Sequence, residues 1–227
     1  MSGTVLVTGA TGGLGAAVTR RLLDEGRRVV VPWHSEDELT RVPSGVSGLV
    51  LVQADLTDPA AVGAVAAKAA ADPDRPLRAV VNLVGGFAMG GRVHETAVEE
   101  FEAQLRLNLR PAYLVCQATL PHLAAAGGGS VVLVSSQAVR KPFRGAAGYL
   151  TAKTAVLGLA GALHAEYAKD GVRVNTILPG VIDTPANRAS MPDADRSGWT
   201  APEDIATTVA FLCSDASKAV RDSQLLV

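Results

Sequence analysis

A chain of 227 residues, 48% of them hydrophobic, can bury one large core and fits a single α/β domain over residues 1–227 better than two small ones. Its formal net charge of −1 excludes the strong basic field that nucleic acid or an anionic membrane surface would call for, so neither is an expected partner. Cys116 and Cys213 lack CxxC spacing, no stretch reaches the ~18 apolar residues of a membrane span, and the start MSGTVLVTGATGG has no basic leader, so a cytoplasmic protein with inert thiols is expected.

In chain order, the first buried strand is Val5–Thr8, which turns through Gly9-Ala10-Thr11-Gly12-Gly13-Leu14-Gly15 into a helical pattern over 14–25. Glycines there let the backbone turn sharply and approach a pyrophosphate, while the helix start points N–H groups at the anion. The spacing is TGxxxGxG with no GK[ST] after it, which rules out a P-loop. A second strand, Val29–Pro32, runs into Trp33-His34-Ser35. A third, Leu49–Gln53, precedes Ala54-Asp55-Leu56-Thr57-Asp58 and a helix over 59–71.

The strand Ala79–Leu83 overlaps Asn82-Leu83-Val84-Gly85-Gly86, and one long helix is predicted over 97–125, carrying Asn108. Glycines 127–129 read as a loop before the strand Val131–Ser135, which is followed by Ser136. The next helix, 149–169, opens on Tyr149 and Lys153, four apart and therefore on one face. The strand Val172–Leu178 leads to Pro179-Gly180-Val181-Ile182-Asp183-Thr184. Residues 183–201 show no period, and such a stretch in a compact α/β chain is often functional. A helix over 202–213 and a short strand Gln224–Val227 complete the chain. Strict alternation of strand and helix implies a doubly wound parallel sheet covered on both faces.

The Tyr149–Lys153 pair has two readings. Both side chains can simply cover a half-exposed face with their apolar stems. Alternatively, they form a proton-transfer pair: a carbonyl reduced by hydride needs a proton, and an ammonium beside a phenol favours phenolate and lowers its pKa.

The motifs TGATGGLG, ADLTD at 54–58, NLVGG at 82–86, Asn108, SS at 135–136, YLTAK at 149–153 and PGVIDT at 179–184 occur in the order of the short-chain dehydrogenase/reductase family, which the chain resembles over essentially its whole length. The resemblance implies a Rossmann-type fold, a nicotinamide dinucleotide and an NAD(P)-dependent oxidoreductase. It makes Tyr149 the general acid/base, with Lys153 on the nicotinamide ribose, Ser136 on the substrate oxygen and Asn108 holding a relay water. It gives the pyrophosphate to Gly9, Thr11, Gly12, Gly13, Leu14 and Gly15. Asp55 would take the adenine amino group, with Leu56 lining the ring pocket and Asn82, Val84 and Gly85 at the fourth strand's end. Pro179, Gly180, Ile182 and Thr184 would receive the nicotinamide, its carboxamide on the Ile182 backbone. Leu83 and Val84 depart from the family's NNAG run. The resemblance also implies a homodimer or homotetramer built on helices 97–125 and 149–169.

A carboxylate near position 33 would accept from the adenosine ribose and repel a 2′-phosphate. Trp33 stands there instead, with His34 and Ser35 beside it, so NADP(H) is favoured over NAD(H), although no arginine is clearly in place and Trp33 can equally pack under adenine. The segment 183–200 is similar to that of dihydropteridine reductases (DTPxNRxxMPxADxxxWT), and GGF at 85–87 to their GGW, but Ser136 fits 3-oxoacyl-acyl-carrier-protein reductases better. A carbonyl, alcohol or pteridine-like small molecule is therefore the expected substrate. Met191 and Trp199 either anchor a lid or meet substrate. Arg140, Lys141 and Arg144 form a solvated run or greet an anionic substrate. A non-catalytic dinucleotide-sensing protein is the competing reading. His34, His94, His122 and His164 have no metal-ligand spacing, so no metal is expected.

Overall fold

The computed structural model describes residues 3–42 and 45–227. Seven strands form one sheet in the order β3-β2-β1-β4-β5-β6-β7, every pair parallel. They are β1 (Thr4–Thr8), β2 (Arg28–Trp33), β3 (Leu49–Gln53), β4 (Leu77–Asn82), β5 (Gly129–Val134), β6 (Val172–Leu178) and β7 (Gln224–Leu226). Their Val, Ile and Leu runs suit strands buried on both faces: every residue of β1 and β6 is buried. Gly129 belongs to β5 and not to the preceding loop.

Helices cover both faces. On one, α2 (Pro59–Ala70), α4 (Arg110–Ala125) and α5 (Ala147–Tyr167) place Val62, Leu120, Val156 and Leu163 against Leu6, Val80 and Val131. On the other, α1 (Gly13–Asp24) and α7 (Pro202–Leu212) place Val18, Leu22, Ile205 and Val209 against Val5, Val81 and Ile177. Cys116 and Cys213 are buried within these two layers, and burial pushes both thiols up to about 12, so they are inert.

The helix expected over 97–125 is two. α3 (Val98–Asn108) ends at Leu109, and α4 begins at Arg110. Pro111 is the cause: its ring crowds the preceding turn, its nitrogen has no hydrogen to donate, and proline is tolerated at a helix start, not inside one. A further difference is a helix inside the segment expected to be irregular. α6 (Pro185–Ser190) starts on a proline, and the Thr184 hydroxyl caps it by accepting from the Asn187 N–H at 3.2 Å.

The strand order reverses direction between β1 and β4. At the carboxyl end of the sheet this opens the crevice where ligands of doubly wound sheets bind.

Candidate active site

The glycine turn lies at that crevice. Gly9 has φ +67, open to glycine at no steric cost, and a Cβ at Gly15 would fall 2.1 Å from the Gly9 oxygen, so α1 can sit this close only without side chains. No side chain caps the N-terminus of α1 and no acidic residue occupies its first turn, so the N–H groups at Gly13 and Leu14 are left for an outside acceptor. An uncapped helix start over a glycine cradle fits a pyrophosphate.

A 420 Å3 cleft beside the turn is lined by Thr11, Trp33, His34, Asp55, Leu56, Val84 and Gly85, as the sequence expects of an adenosine site. Asp55 Oδ1 accepts from the Thr57 N–H and hydroxyl, both at 2.8 Å, which holds its carboxyl below the usual range and leaves Oδ2 for an amino group. The sequence reading missed Arg41. A six-residue 3-10 turn, Glu36–Arg41, folds back so that Arg41 lines this cleft and its Nη1 donates to the Thr11 carbonyl at 3.4 Å. Glu38, from the same turn, accepts from the His34 N–H at 3.2 Å. Asn82 does not line the cleft: it is buried between β1 and β4, where its Oδ1 accepts from the Thr8 hydroxyl at 2.6 Å.

A second cleft, of 300 Å3, is lined by Leu14, Gly85, Phe87, Ser136, Tyr149, Lys153, Pro179, Gly180, Ile182 and Asn187. Ser136 follows β5 and caps a short turn, its Oγ accepting from the Ala138 N–H at 3.2 Å, and the same hydroxyl hydrogen-bonds the Tyr149 phenol. The buried Lys153 ammonium donates to the Val134 carbonyl at 3.2 Å and lies 5.9 Å from the Tyr149 ring centre. Desolvation brings Lys153 down to about 8. The expected lowering of the Tyr149 pKa by Lys153 is not what the geometry gives. Burial of the phenol raises it, the Ser136 hydrogen bond partly offsets that, and a proton donor results.

Asn108 closes α3 and is itself buried. Its Nδ2 donates to the Gln104 carbonyl at 3.1 Å and its Oδ1 accepts from the Gly86 N–H at 3.1 Å. A Cβ at Gly85 would fall 2.6 Å from Asn108 Oδ1 and 3.0 Å from Lys153 Nζ, so Gly85 is the spacer through which these two side chains meet the strand end.

Beyond β6 the chain crosses the cleft. Thr184 packs on Gly13, where a Cβ would lie 2.7 Å from Thr184 Cγ2. The Ile182 carbonyl accepts from the Thr184 N–H and from Asn187 Nδ2, both at 2.8 Å, so the Ile182 N–H is what its backbone offers a carboxamide. Ile182 bridges Thr200, closing 183–199 into a loop. Within it Arg188 grips both carboxyl oxygens of Asp183, at 2.5 and 2.7 Å, and Arg196 lies 5.7 Å over the Trp199 ring. Asn187 is the member of this loop that reaches the cleft.

Residues 3–195 match the family described as short chain dehydrogenase. The chain belongs to that family. Among short-chain dehydrogenases it is similar to 2-(R)-hydroxypropyl-CoM dehydrogenase of Xanthobacter autotrophicus, with 35% identity over 82% of this chain and 76% of the relative. Its fold matches a short-chain type dehydrogenase/reductase from Mycobacterium ulcerans with a TM-score of 0.91 at 26% identity, over 100% of this chain and 90% of that one. It also matches a variant of actinorhodin polyketide ketoreductase solved with NADPH, with a TM-score of 0.88 at 27% identity, over 100% and 95%. Among the described residues no helix is long and apolar enough to cross a membrane, and no group of His, Cys, Asp and Glu is placed to hold a metal.

Proposed function

We propose that this chain is a reductase of small carbonyl compounds that prefers NADP(H) and uses Tyr149 as its general acid. The observation that carries the reading is the phenol itself: raised by burial, hydrogen-bonded by Ser136 and backed by the buried Lys153, in the cleft at the sheet's switch point. The dinucleotide, when bound, supplies hydride to the carbonyl carbon. Ser136 orients the carbonyl oxygen by hydrogen bonding and stabilises the charge that grows there, and Tyr149 delivers its proton to that oxygen. Lys153 would hold the nicotinamide ribose, and Asn108 keeps the strand end at Gly85 and Gly86 in register with Lys153.

The preference for NADP(H) rests on Trp33, His34 and Arg41 facing the adenosine end where a selective carboxylate would repel a 2′-phosphate; Glu38 lines the same cleft, with Oε2 accepting from the His34 N–H. That actinorhodin polyketide ketoreductase is solved with NADPH supports the same choice. Reduction of a quinonoid dihydropteridine is the second reading, favoured by the 183–200 pattern. Most of that loop's distinctive side chains are engaged within it, so the ketone reading stands first. A homodimer or homotetramer through α3, α4 and α5 belongs to the proposal, on the exposure of Val98 and Tyr113 along those helices.

The test is a panel of ketones, a 3-oxoacyl thioester and a quinonoid dihydropteridine with NADPH and NADH in parallel, on wild type and Tyr149→Phe. Ketone reduction lost by at least ~100-fold in Tyr149→Phe is expected. Equal turnover by the two proteins would remove Tyr149 from the chemistry, and binding of NADPH with no turnover across the panel would favour a dinucleotide sensor.

A further inference from the structure

The loop 137–146 joins Ser136 to Tyr149, and its sequence around Phe143 is Arg140-Lys141-Pro142-Phe143-Arg144. It is fixed to the segment after β4: the Gly90 N–H donates to the Gly145 carbonyl at 2.8 Å, and Gly145, at φ +83, lies so close that a Cβ would fall 2.5 Å from the Gly90 oxygen. That clasp sets three rings in a row. Phe87 meets Tyr149 edge-on at 5.0 Å and 90°, and Phe143 lies 6.1 Å from Phe87. Phe87 is 56% exposed and Phe143 43%, so two aromatic rings beside the proton donor present apolar surface to water.

The same loop carries three exposed cations. Among the described residues none of Arg140, Lys141 and Arg144 has a carboxylate partner, whereas in the facing loop Arg188 is spent on Asp183 and Arg196 lies over Trp199. Among the described residues no carboxylate lines the cleft of Tyr149 and Ser136. On the segment clasped to the loop, Glu95 accepts from the Arg92 N–H, and Glu100 lines the adjoining cavity under the clasp, with Gly90, Gly145 and Gly148, and not the Tyr149–Ser136 cleft. In a chain of net charge −1, these three exposed cations flank Phe143 along the loop whose ring row leads to Tyr149, and together they give that loop a local positive field.

Resting on the carbonyl-reductase reading, we infer that the substrate is an anionic carbonyl compound with a flat, unsaturated body: Phe87 and Phe143 hold the body beside Tyr149, and Arg140, Lys141 and Arg144 draw in and hold a carboxylate, sulfonate or phosphate at its far end. The rings select shape through their faces and the cations select charge, mainly at capture, where field effects raise association rates and fade with salt.

The test compares 4-oxo-4-phenylbutanoate with its methyl ester, which share the ketone and the aryl body and differ in charge. At low ionic strength the acid should have a kcat/KM about 10-fold above the ester, and the ratio should fall toward one at ~0.5 M salt. In Arg140→Gln/Lys141→Gln/Arg144→Gln, shown to be folded by its NADPH binding, the ratio should fall to about one at any salt concentration. An ester as good as the acid at low salt, or a triple variant that keeps the preference, overturns the inference. Should wild type turn over neither compound, the panel of ketones, thioester and dihydropteridine decides the reductase reading, and calorimetric binding of the two to the NADPH-loaded protein decides the anion site. Tighter binding of the acid in wild type and not in the triple variant sustains the anion site, and equal or undetectable binding of both removes it.

Discussion

Lys153 is a charge largely withdrawn from water at the wall of the cleft, and the protein bears the cost. Burial brings its pKa from 10.5 down to about 8, so near pH 7 the folded state keeps an ammonium that would be better solvated in the unfolded chain. The difference corresponds to a net cost of about 3 kcal/mol. The unfolded chain binds more protons between pH 8 and 10.5, so stability rises through that window; below it the penalty is present in full, and above it the penalty is gone. Lys153→Met should therefore be more stable than wild type by about 2 kcal/mol at pH 7 while losing reductase activity, and the gap should close as pH rises past 8. Urea midpoints at pH 7 and 10 read this directly, and a variant less stable at both would contradict it. Arg41 gives a second expectation at this scale. On the proposed preference for NADP(H), Arg41→Ala should lower the ratio of kcat/KM for NADPH over NADH by ~10-fold, the worth of one charge-assisted hydrogen bond to a 2′-phosphate. An unchanged ratio would place the preference elsewhere. Tyr149, Lys153 and Ser136 were legible in the sequence because spacing and strand ends bring them together. Arg41 was not, because only the fold-back of a 3-10 turn returns it to Thr11.

Element by element, the strands and most helices followed from hydrophobic period and glycine punctuation, and the two departures among the α-helices involve proline. Pro111 splits the stretch read as one helix, and the split places Asn108 at the last turn of α3 instead of mid-helix. A side chain at a helix end can reach across to the neighbouring strand end, and Asn108 does so at Gly86. The sequence showed Asn108 as a candidate but not the partner, because Gly86 is 22 residues away and only the packing of α3 beside β4 brings them together. Gly85→Ala tests this joint. Its Cβ would fall 2.6 Å from Asn108 Oδ1 and 3.0 Å from Lys153 Nζ, so both groups must shift. Loss of kcat/KM by ~100-fold is expected, since displacements near 1 Å at reacting groups cost about that much. The melting temperature should move by only a few degrees. Full activity with an unmoved Tm would show that the joint has slack.

At the scale of the whole molecule, the two ends of the sheet do different work. Every candidate for chemistry lies at the carboxyl ends of the strands, while the opposite end is tied by side chains that touch no cleft of the candidate site. Arg173, at the start of β6, is the strongest of these ties. It is buried, and its Nη1 donates to the Ser217 carbonyl and hydroxyl at 3.1 and 2.9 Å, its Nη2 to the Leu212 and Ser214 carbonyls at 3.0 and 3.1 Å. One guanidinium thus satisfies the open carbonyl end of α7 and pins it to the sheet. Nothing in the sequence marked Arg173 out, because its partners are the backbone of a turn some forty residues on. Arg173→Met keeps the apolar stem and removes all four bonds. The Ser217 hydroxyl still reaches the Leu212 and Ser214 carbonyls, at 3.0 and 2.9 Å, so the loss should be about 3 kcal/mol and not more. For a chain of this length that is a fall in Tm of roughly 6–12 °C. Because the tie is at the far end from Tyr149, kcat/KM of the folded variant at 20 °C should stay within about two-fold of wild type. A variant with an unchanged Tm would show that solvent replaces the four bonds without loss. One with a normal Tm and lost activity would show instead that the two ends of the sheet are coupled.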